Sequence, residues 1–395
     1  MKKKVAIIGG GTSALFLAAF LDAEKFEVTI YEKNKTAGRK FLVAGKGGFN
    51  LTHSEPIGTF IDRFTPNDFL NKAISAFTNS DFRNWLSQIG IKTYIGSSKR
   101  VFPTKGTKPI EVLNAILSFL KDKGTVMKYE HTFSDWDQYN NPIINQESVK
   151  ADYTVFSLGG ASWKVTGSDG SWLNVFSKIG VQTKAFKASN CGHQVDWDPQ
   201  FINKHEGAPL KNIAIYCDNI EQKGEATITK QGLEGNTLYG LSPKIRKQLS
   251  TNSKATVFID FKPSLTLEEV QAKIKLSSHR TTTDTLKKEL KLSVPQIDLL
   301  KTYLTKDSYL NIELLANNIK RFKLDIVGTV NKDEAISTVG GIDLSAISEN
   351  FELKKLSNQF CIGEMLDWDA PTGGYLIQAC ASSGVYLANH LNERK

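Results

Sequence analysis

The sequence predicts a mixed α/β fold built on a parallel sheet, and three consecutive features near its start indicate this class. Residues 5–8 form a short apolar run typical of a buried parallel strand. Three glycines follow directly, and apolar residues then recur over residues 14–21 at helical spacing. Residues 27–31 alternate and include β-branched side chains, which predicts a second strand. Strand, glycine turn, helix and strand together form one βαβ unit.

The glycine turn has the spacing of a dinucleotide-binding site, because Gly9, Gly11 and Ala14 match G-x-G-x-x-G/A. In this pattern the first small residue permits the tight turn, the second lets the backbone approach a pyrophosphate, and the third lets helix and strand pack closely. Glu32 lies 21 positions after Gly11, where an acidic residue would hydrogen-bond the ribose. Two hydroxyl residues of the first helical turn are further candidate donors: Thr12 and Ser13.

The same unit can hold NAD or FAD, and the next segment favours FAD. Residues 38–40 read Gly-Arg-Lys, and residues 45–50 read Gly-Lys-Gly-Gly-Phe-Asn. A cationic, glycine-rich segment can wrap a pyrophosphate and let the backbone touch a flat ring, which a plain NAD dehydrogenase does not need. We therefore expect non-covalent FAD. A second G-x-G-x-x-G/A block is absent from the sequence, so NAD(P)H as electron donor would dock transiently over the flavin.

The composition is that of a globular protein, with 40% apolar and 23% charged residues. No apolar run reaches the roughly 18 residues that span a bilayer, and no targeting segment is recognisable, so we expect a cytoplasmic protein without a membrane span. The four cysteines form no C-x-x-C pair, and the six histidines lack the spacing of metal ligands. No metal site is predicted.

The net charge of +9 is concentrated in residues 242–323, which contain 16 Lys or Arg against 8 Asp or Glu. Solvated helix faces are one explanation, and a surface for an anionic partner such as a phosphorylated substrate, NADPH or RNA is the other. Stacking of RNA bases needs aromatic residues among the basic ones, and this stretch has few. RNA as a partner therefore ranks below a small organic substrate.

The order of the predicted elements divides the chain into three parts. Residues 1–186 would form the first part of an FAD-binding domain. Residues 187–332, β-rich and then helical, would form an inserted substrate or cap domain. Residues 333–395 return to strand, glycine and helix, and would complete the FAD-binding domain. Both ends of the chain are thus expected to build one site.

Three further blocks, at residues 38–52, 159–170 and 340–375, resemble the HI0933/YhiN-like flavoproteins, also called BaiN-like or "aminoacetone oxidase family" proteins. Residues 232–235 with Tyr239 resemble an uncharacterised subgroup. The resemblance spans the whole chain. It implies a Rossmann-like FAD domain from both termini, an inserted β-barrel-like domain and a small helical domain. This chain departs from the family at Phe49, where many members carry a cysteine, and at Lys164, where proline is common.

The resemblance also implies which residues hold the cofactor, in addition to those of the first motif. It places Arg39, Lys40, Gly47, Gly48 and Asn50 beside the flavin, Gly363, Glu364 and Asp367 at the ribityl chain and pyrophosphate, and Thr372, Gly373, Gly374 and Tyr375 at the isoalloxazine ring. Neighbouring residues complete the predicted cofactor site: Lys33, Gly38, Leu51, Gly159 and Gly160.

Residues 373 and 374 are expected to open the final helix. The partial positive charge of that helix start would stabilise negative charge at the N1–C2=O edge of reduced flavin. Gly374 would lie where the backbone approaches the ring.

The sequence assigns no catalytic acid or base, since neither a Ser/His/Asp order nor a pair of carboxylates with suitable spacing is present. Trp163 and His53 are candidates for the substrate side, with core packing as the alternative for Trp163 and a structural or exposed role for His53. The sequence thus predicts an FAD-dependent oxidoreductase of a small organic substrate. A flavoprotein that acts on RNA through the basic insert is the alternative, and a redox-sensing binding protein is the third hypothesis.

Overall fold

The computed structural model describes residues 1–43 and 48–394. The chain divides into two compact units, Met1–Lys187 with Ile336–Lys395, and Ala188–Ala335. The first unit is thus built from both ends of the chain. None of the described helices is both long enough and apolar enough to cross a membrane.

The centre of the first unit is a five-stranded parallel sheet, as the sequence predicts. Its strands lie in the order β20, β10, β1, β2, β6, with bounds β1 (Lys3–Ile8), β2 (Phe26–Glu32), β6 (Val126–Tyr129), β10 (Tyr153–Phe156) and β20 (Gln359–Cys361). All four residues of β10 are buried, which is typical of a parallel strand covered on both faces. A strand from the last 40 residues completes the sheet beside β10, so the two chain ends share one layer.

Helices cover this sheet, and three small sheets of the described residues extend the unit. The helices are α1 (Thr12–Phe20), α2 (Arg39–Val43), α3 (Ile57–Ile61), α4 (Asn71–Ala76), α5 (Asn79–Gln88), α6 (Pro109–Asp122), α7 (Leu173–Lys178) and α16 (Tyr375–Glu393). The additional strands are β3 (Thr52–His53), β4 (Thr93–Ile95), β5 (Arg100–Pro103), β7 (Phe133–Trp136), β8 (Pro142–Ile144), β9 (Glu147–Ser148), β11 (Thr183–Ser189) and β19 (Ser337–Ile342). They pair as β3-β5-β4, β7-β8-β9 and β11-β19.

The second unit contains a seven-stranded sheet and a run of helices. The strand order is β17, β16, β13, β14, β15, β12, β18, with bounds β12 (His193–Gln194), β13 (Pro209–Cys217), β14 (Ile220–Thr229), β15 (Gly232–Glu234), β16 (Ala255–Asp260), β17 (Phe322–Ile326) and β18 (Gly328–Thr329). The helices are α8 (Pro199–His205), α9 (Asn236–Tyr239), α10 (Ser242–Thr251), α11 (Leu267–Lys275), α12 (Thr282–Lys288), α13 (Val294–Tyr303), α14 (Lys306–Leu310) and α15 (Ile312–Lys320). The strand pairs are antiparallel, and a separate apolar core fills this unit.

Helix α16 lies directly against helix α1, and a glycine permits the contact. A Cβ atom on Gly384 would meet the carbonyl oxygen of Ser13 and lie 2.8 Å from the amide nitrogen of Leu17. Both are backbone atoms of α1, which cannot move without shifting the helix. The last helix therefore fixes the start of α1 relative to the C-terminal strand.

We expect Gly384→Ala to lower the free energy of unfolding by about 1–3 kcal/mol, because an added methyl group overpacks the contact between the two helices. Gly58→Ala is the matched control, since Gly58 also lies in a helix but has open space around its Cβ position. It should be neutral or stabilise by up to about 1 kcal/mol. Urea unfolding of both variants checks this, and equal effects of the two substitutions would contradict the proposed packing constraint.

Candidate cofactor and active site

The parallel sheet brings four segments of the predicted cofactor site to one edge. Parallel strands all end at the same edge, which is where open α/β sheets bind ligands. The segments that leave this edge begin at Gly9 after β1, at the terminal Glu32 of β2, at Ser157 after β10 and at Ile362 after β20. Residues separated by more than 300 positions thus become neighbours.

The turn after β1 has the geometry that a pyrophosphate needs. Gly9 has a φ of 100°, and its Cβ position is blocked by the carbonyl oxygen of Ser157, so only glycine fits there. The Cβ position of Gly11 has nothing within 4 Å, which leaves its backbone open to a ligand. Helix α1 starts at Thr12 without a side-chain cap among the described residues, so its first N–H groups can bind an anion.

Glu32 is held beside this turn by three donors. One carboxylate oxygen accepts the N–H of Gly10 at 2.7 Å, and the other accepts the backbone N–H and side-chain amide of Asn34 at 2.8 and 2.6 Å. The side chain is buried, with 8% exposure. A carboxylate has about four acceptor positions, so one remains for a ribose hydroxyl. The residues of this edge therefore fit a dinucleotide such as FAD.

Lys40 connects the N-terminal and C-terminal parts of the candidate site. Its ammonium group lies 2.9 Å from a carboxylate oxygen of Glu364, in the turn that follows β20. Both side chains are largely shielded from solvent, with exposures of 27% and 14%. Glu364 is therefore fixed in place with its charge balanced.

The other two cations of this segment bind the second glycine block. Lys33 forms an ion pair with Asp169 at 3.0 Å. Arg39 donates hydrogen bonds to the side-chain oxygen of Asn34 at 2.9 Å and to the carbonyl oxygen of Val165 at 2.7 Å. These contacts join the predicted blocks to one another, which the sequence did not indicate.

Two more of the predicted ligands also have protein partners. The hydroxyl of Ser13 lies 2.9 Å from that of Ser157, across the edge of the sheet. The carboxylate of Asp367 pairs with Lys184 on β11 at 2.6 Å. If Ser13 and Asp367 contact the cofactor, as the sequence predicts, each must either keep its protein partner and bind the cofactor as well, or give up that partner.

The remaining predicted residues are distributed around the same edge. Leu51 is fully buried, Asn50 donates to the carbonyl of Gly48 at 3.2 Å, and Gly47 lies outside the described residues. Three other positions favour glycine. The Cβ position of Gly38 lies 2.7 Å from Leu113, and that of Gly160 lies 2.5 Å from the hydroxyl of Thr338. Gly159 has a φ of 73°. Trp163 is half-buried with a φ of 58°, at the start of a short 3₁₀ turn. Phe49 is buried, edge-on to Phe41.

The turn that opens α16 has one contact that the sequence did not indicate. Gly373 and Gly374 have φ values of 118° and 101°, and Tyr375 is the first helical residue, as expected. A Cβ atom on Gly374, however, would lie 2.5 Å from Cα and 2.7 Å from the amide nitrogen of Thr52 on β3. Contact with strand β3 is therefore one reason for glycine at this position, and the approach of this backbone to the flavin ring stays a prediction.

Sequence reasoning missed a buried polar cluster next to this turn, centred on Glu55. The carboxylate of Glu55 accepts the hydroxyl of Tyr375 at 2.6 Å and two guanidinium N–H groups of Arg63 at 3.0 and 3.3 Å. Hydrogen bonds from Arg63 and Tyr375 outweigh burial and lower the pKa of Glu55. Burial, and then Glu55, raise the pKa of Tyr375, so its hydroxyl remains protonated at neutral pH.

His53 stacks on Tyr375, with ring centroids 5.3 Å apart. Its Nδ1 lies 3.3 Å from the backbone N–H of Glu55, which can only donate. Its Nε2 lies 3.3 Å from the carbonyl oxygen of Ser98, which can only accept. These partners define a neutral imidazole with its proton on Nε2. Burial is the largest cause that lowers the pKa of His53, and the nearby charges of Arg63 and Arg100 act in the same direction.

Strand pairing places Arg100 beside His53. In the antiparallel ladder of β3 and β5, His53 pairs with Arg100 and Thr52 pairs with Val101, so the first pair shares one face. The next residue on that face, Phe102, stacks on Tyr94 with centroids 5.7 Å apart. Glu55, Arg63 and Arg100 carry no sequence motif and are distant from Tyr375 along the chain, so no local signal identified them.

Comparison with known proteins agrees with this geometry. The fold is that of FAD-dependent oxidoreductases, and the model of the HI0933-like protein Rossmann domain family matches residues 3–390. The chain belongs to this family. The family resemblance of the sequence and the prediction of an enzyme are thereby confirmed.

Relatives with established names cover almost the whole chain. The ribosomal RNA dihydrouridine synthase of Haemophilus influenzae is 24% identical over 97% of this chain and 96% of its own length. A protein of the same name from Escherichia coli is 23% identical, over 98% and 97%. The 3-dehydro-bile acid delta(4,6)-reductase of Clostridium scindens is 23% identical over 98% of both chains. Among solved structures, a flavocytochrome c3 fumarate reductase in an open conformation has a TM-score of 0.50 at 12% identity, over 98% of this chain and 78% of that chain, and shares the fold.

We expect His53 to be neutral at pH 7 with the proton on Nε2, and to titrate below its usual pKa of 6.5. Arg100→Gln should raise this pKa, because one of the nearby cations is removed. Nitrogen-15 NMR of histidine-labelled protein measures both the tautomer and the midpoint, with His53→Gln to assign the signal. A midpoint at or above 6.5, or a proton on Nδ1, would contradict this description.

Proposed function

We propose that this protein is an FAD-dependent reductase that adds two hydrogens to a C=C bond conjugated to a carbonyl group. One observation carries the proposal: relatives that span the whole chain and differ in substrate have names that share this chemistry. Dihydrouridine is uridine whose ring C=C bond, next to a carbonyl, has gained two hydrogens. A 3-dehydro bile acid with 4,6 double bonds likewise has its C=C bonds conjugated to a ketone.

The reaction needs two electrons and two protons in total. FAD held at this site would supply hydride chemistry, with NAD(P)H as the source of the hydride. The carbon β to the carbonyl would gain this hydride, and the α carbon would gain a proton from solvent water. The chain's own residues would bind and orient the cofactor. The N-terminus of α1 would hold the pyrophosphate, Glu32 the adenosine ribose, and Glu364 the ribityl chain.

For the substrate we propose a uracil base in RNA as the first candidate. Two relatives are named as RNA-modifying enzymes, and the second unit has a basic surface that suits a polyanion. Eight Lys and Arg side chains of residues 273–306 are exposed and make no ion pair with a described residue: Lys273, Lys275, Arg280, Lys287, Lys288, Lys291, Lys301 and Lys306. A small cyclic enone is the second candidate substrate, because another relative is named as a bile-acid reductase.

We expect the purified protein to release FAD, not FMN, on heat denaturation, because Glu32 and Gly11 form the half of the site that FMN would leave empty. Glu32→Ala should weaken FAD binding by roughly 10- to 100-fold, as a hydrogen bond to a charged group is worth about 1.5–3 kcal/mol. Chromatography of the pigment and titration of the apoprotein measure these outcomes. Glu27→Ala, on the exposed side of the same strand, is the control.

The reaction itself can be tested under anaerobic conditions. NADH or NADPH should bleach the bound flavin, and addition of unmodified ribosomal RNA transcripts should restore its colour, with a mass gain of two hydrogens on uridine. A cyclic enone tests the second candidate, and the corresponding saturated ketone is the control. If both RNA and enones leave the reduced flavin unchanged, the proposed reaction class is wrong.

A further inference from the structure

Arg100 differs from the other half-buried arginines of its unit in having no partner of its own. Arg39 donates to Asn34, and Arg83 donates to Thr93 at 3.1 Å. The guanidinium of Arg100 makes no ion pair or hydrogen bond with any residue of the described ranges 1–43 and 48–394, although it is partly shielded from solvent. A guanidinium has five N–H donors, so five are available here.

The side chain of Arg100 lies against the turn that opens α16. A Cβ atom on Gly373 would be 3.3 Å from Nε of Arg100. Gly373 and Gly374 precede a 19-residue helix that starts without a side-chain cap among the described residues. The guanidinium and the partial positive charge of this helix start therefore occupy the same small region.

Neighbouring acidic groups do not balance this positive charge. Glu55 supplies the carboxylate of the cluster described above, and it is already paired with Arg63 and hydrogen-bonded by Tyr375. His53, the cross-strand neighbour of Arg100, is neutral and has its proton directed at Ser98. An unpaired cation next to a helix N-terminus favours an anion in the space they both face.

We propose that Arg100 contacts the N1–C2=O edge of the bound flavin and stabilises the negative charge that this edge acquires on reduction. The proposal rests on the FAD-dependent function proposed above and on the position that the sequence predicts for the isoalloxazine ring, at the start of α16. Arg100 thereby raises the reduction potential of the flavin. Preorganised cations of this kind act without having to reorient during the reaction.

The test is the two-electron potential of bound FAD, measured without any substrate. In Arg100→Gln the ratio of reduced to oxidised flavin at a fixed potential should fall about tenfold, which corresponds to about 30 mV for a two-electron couple. Arg100→Lys keeps a charge at this position and should retain most of the wild-type potential. Arg83→Gln removes a half-buried guanidinium of helix α5, which contacts the same small sheet at Thr93 on β4, and should change the potential little.

A second measurement uses the unmodified protein. At pH 7 the absorption spectrum of its reduced flavin should be that of the anionic form, and Arg100→Gln should shift it toward the neutral form. Wild-type flavin that is reduced to the neutral form would overturn the proposal even if the glutamine variant does not fold. The proposal would also be overturned if Arg100→Gln binds FAD fully and has the wild-type potential. This includes the case in which the substitution raises only the KM for the substrate.

Failure of the proposed function is distinguishable from failure of this inference. A protein that binds no FAD refutes the position of the cofactor and, with it, the role of Arg100. A protein that binds FAD but reduces no conjugated C=C bond refutes the reaction class alone. The potential and the spectrum are read without substrate, so they decide the role of Arg100 in that second case.

Discussion

The close approach of helix α16 to helix α1 is the constraint on which the candidate site depends. Gly384 lets α16 contact the backbone of Ser13, and a Cβ atom on Gly363, in the turn after β20, would meet the side chain of the same serine. The hydroxyl of Ser13 also reaches Ser157, in the segment after β10. One residue at the start of α1 thus contacts helix α16 and two segments that leave the sheet at the same edge. This convergence explains why glycines occur at the ends of separate strands, since any side chain there would separate the elements.

The charges around this edge are mostly paired within the protein. Lys33, Lys40 and Arg63 each form an ion pair with a carboxylate. The positive potential that a cofactor would meet therefore comes largely from the starts of α1 and α16, together with Arg100 among the described side chains. The potential at such a site depends on a rigid backbone. Small displacements of the helix starts therefore change this potential more than the loss of one surface lysine does.

Sequence patterns predicted those parts of the site that depend on local geometry. The turn at Gly9 and the acidic end of β2 follow from spacing along a single βαβ unit, and both lie where the pattern placed them. The contact of Gly374 with Thr52 was not predicted, because Thr52 belongs to a distant two-residue strand. Arg100 could not be identified for the same reason, since its position beside His53 is set by the register of β5 on β3. Local pattern does not encode such pairings.

The side chains around the start of α16 are better suited to stabilising charge than to transferring protons. Phe49 replaces the cysteine of many family members, and the four cysteines of this chain are all buried, with burial raising the pKa of Cys361 and Cys380. Tyr375 directs its proton at Glu55, and His53 directs its proton at Ser98. The protons of Tyr375 and His53 are therefore both bound by acceptors within the protein. Arg100 has a guanidinium whose N–H donors make no hydrogen bond with a described residue, so it can stabilise an anion during a reduction.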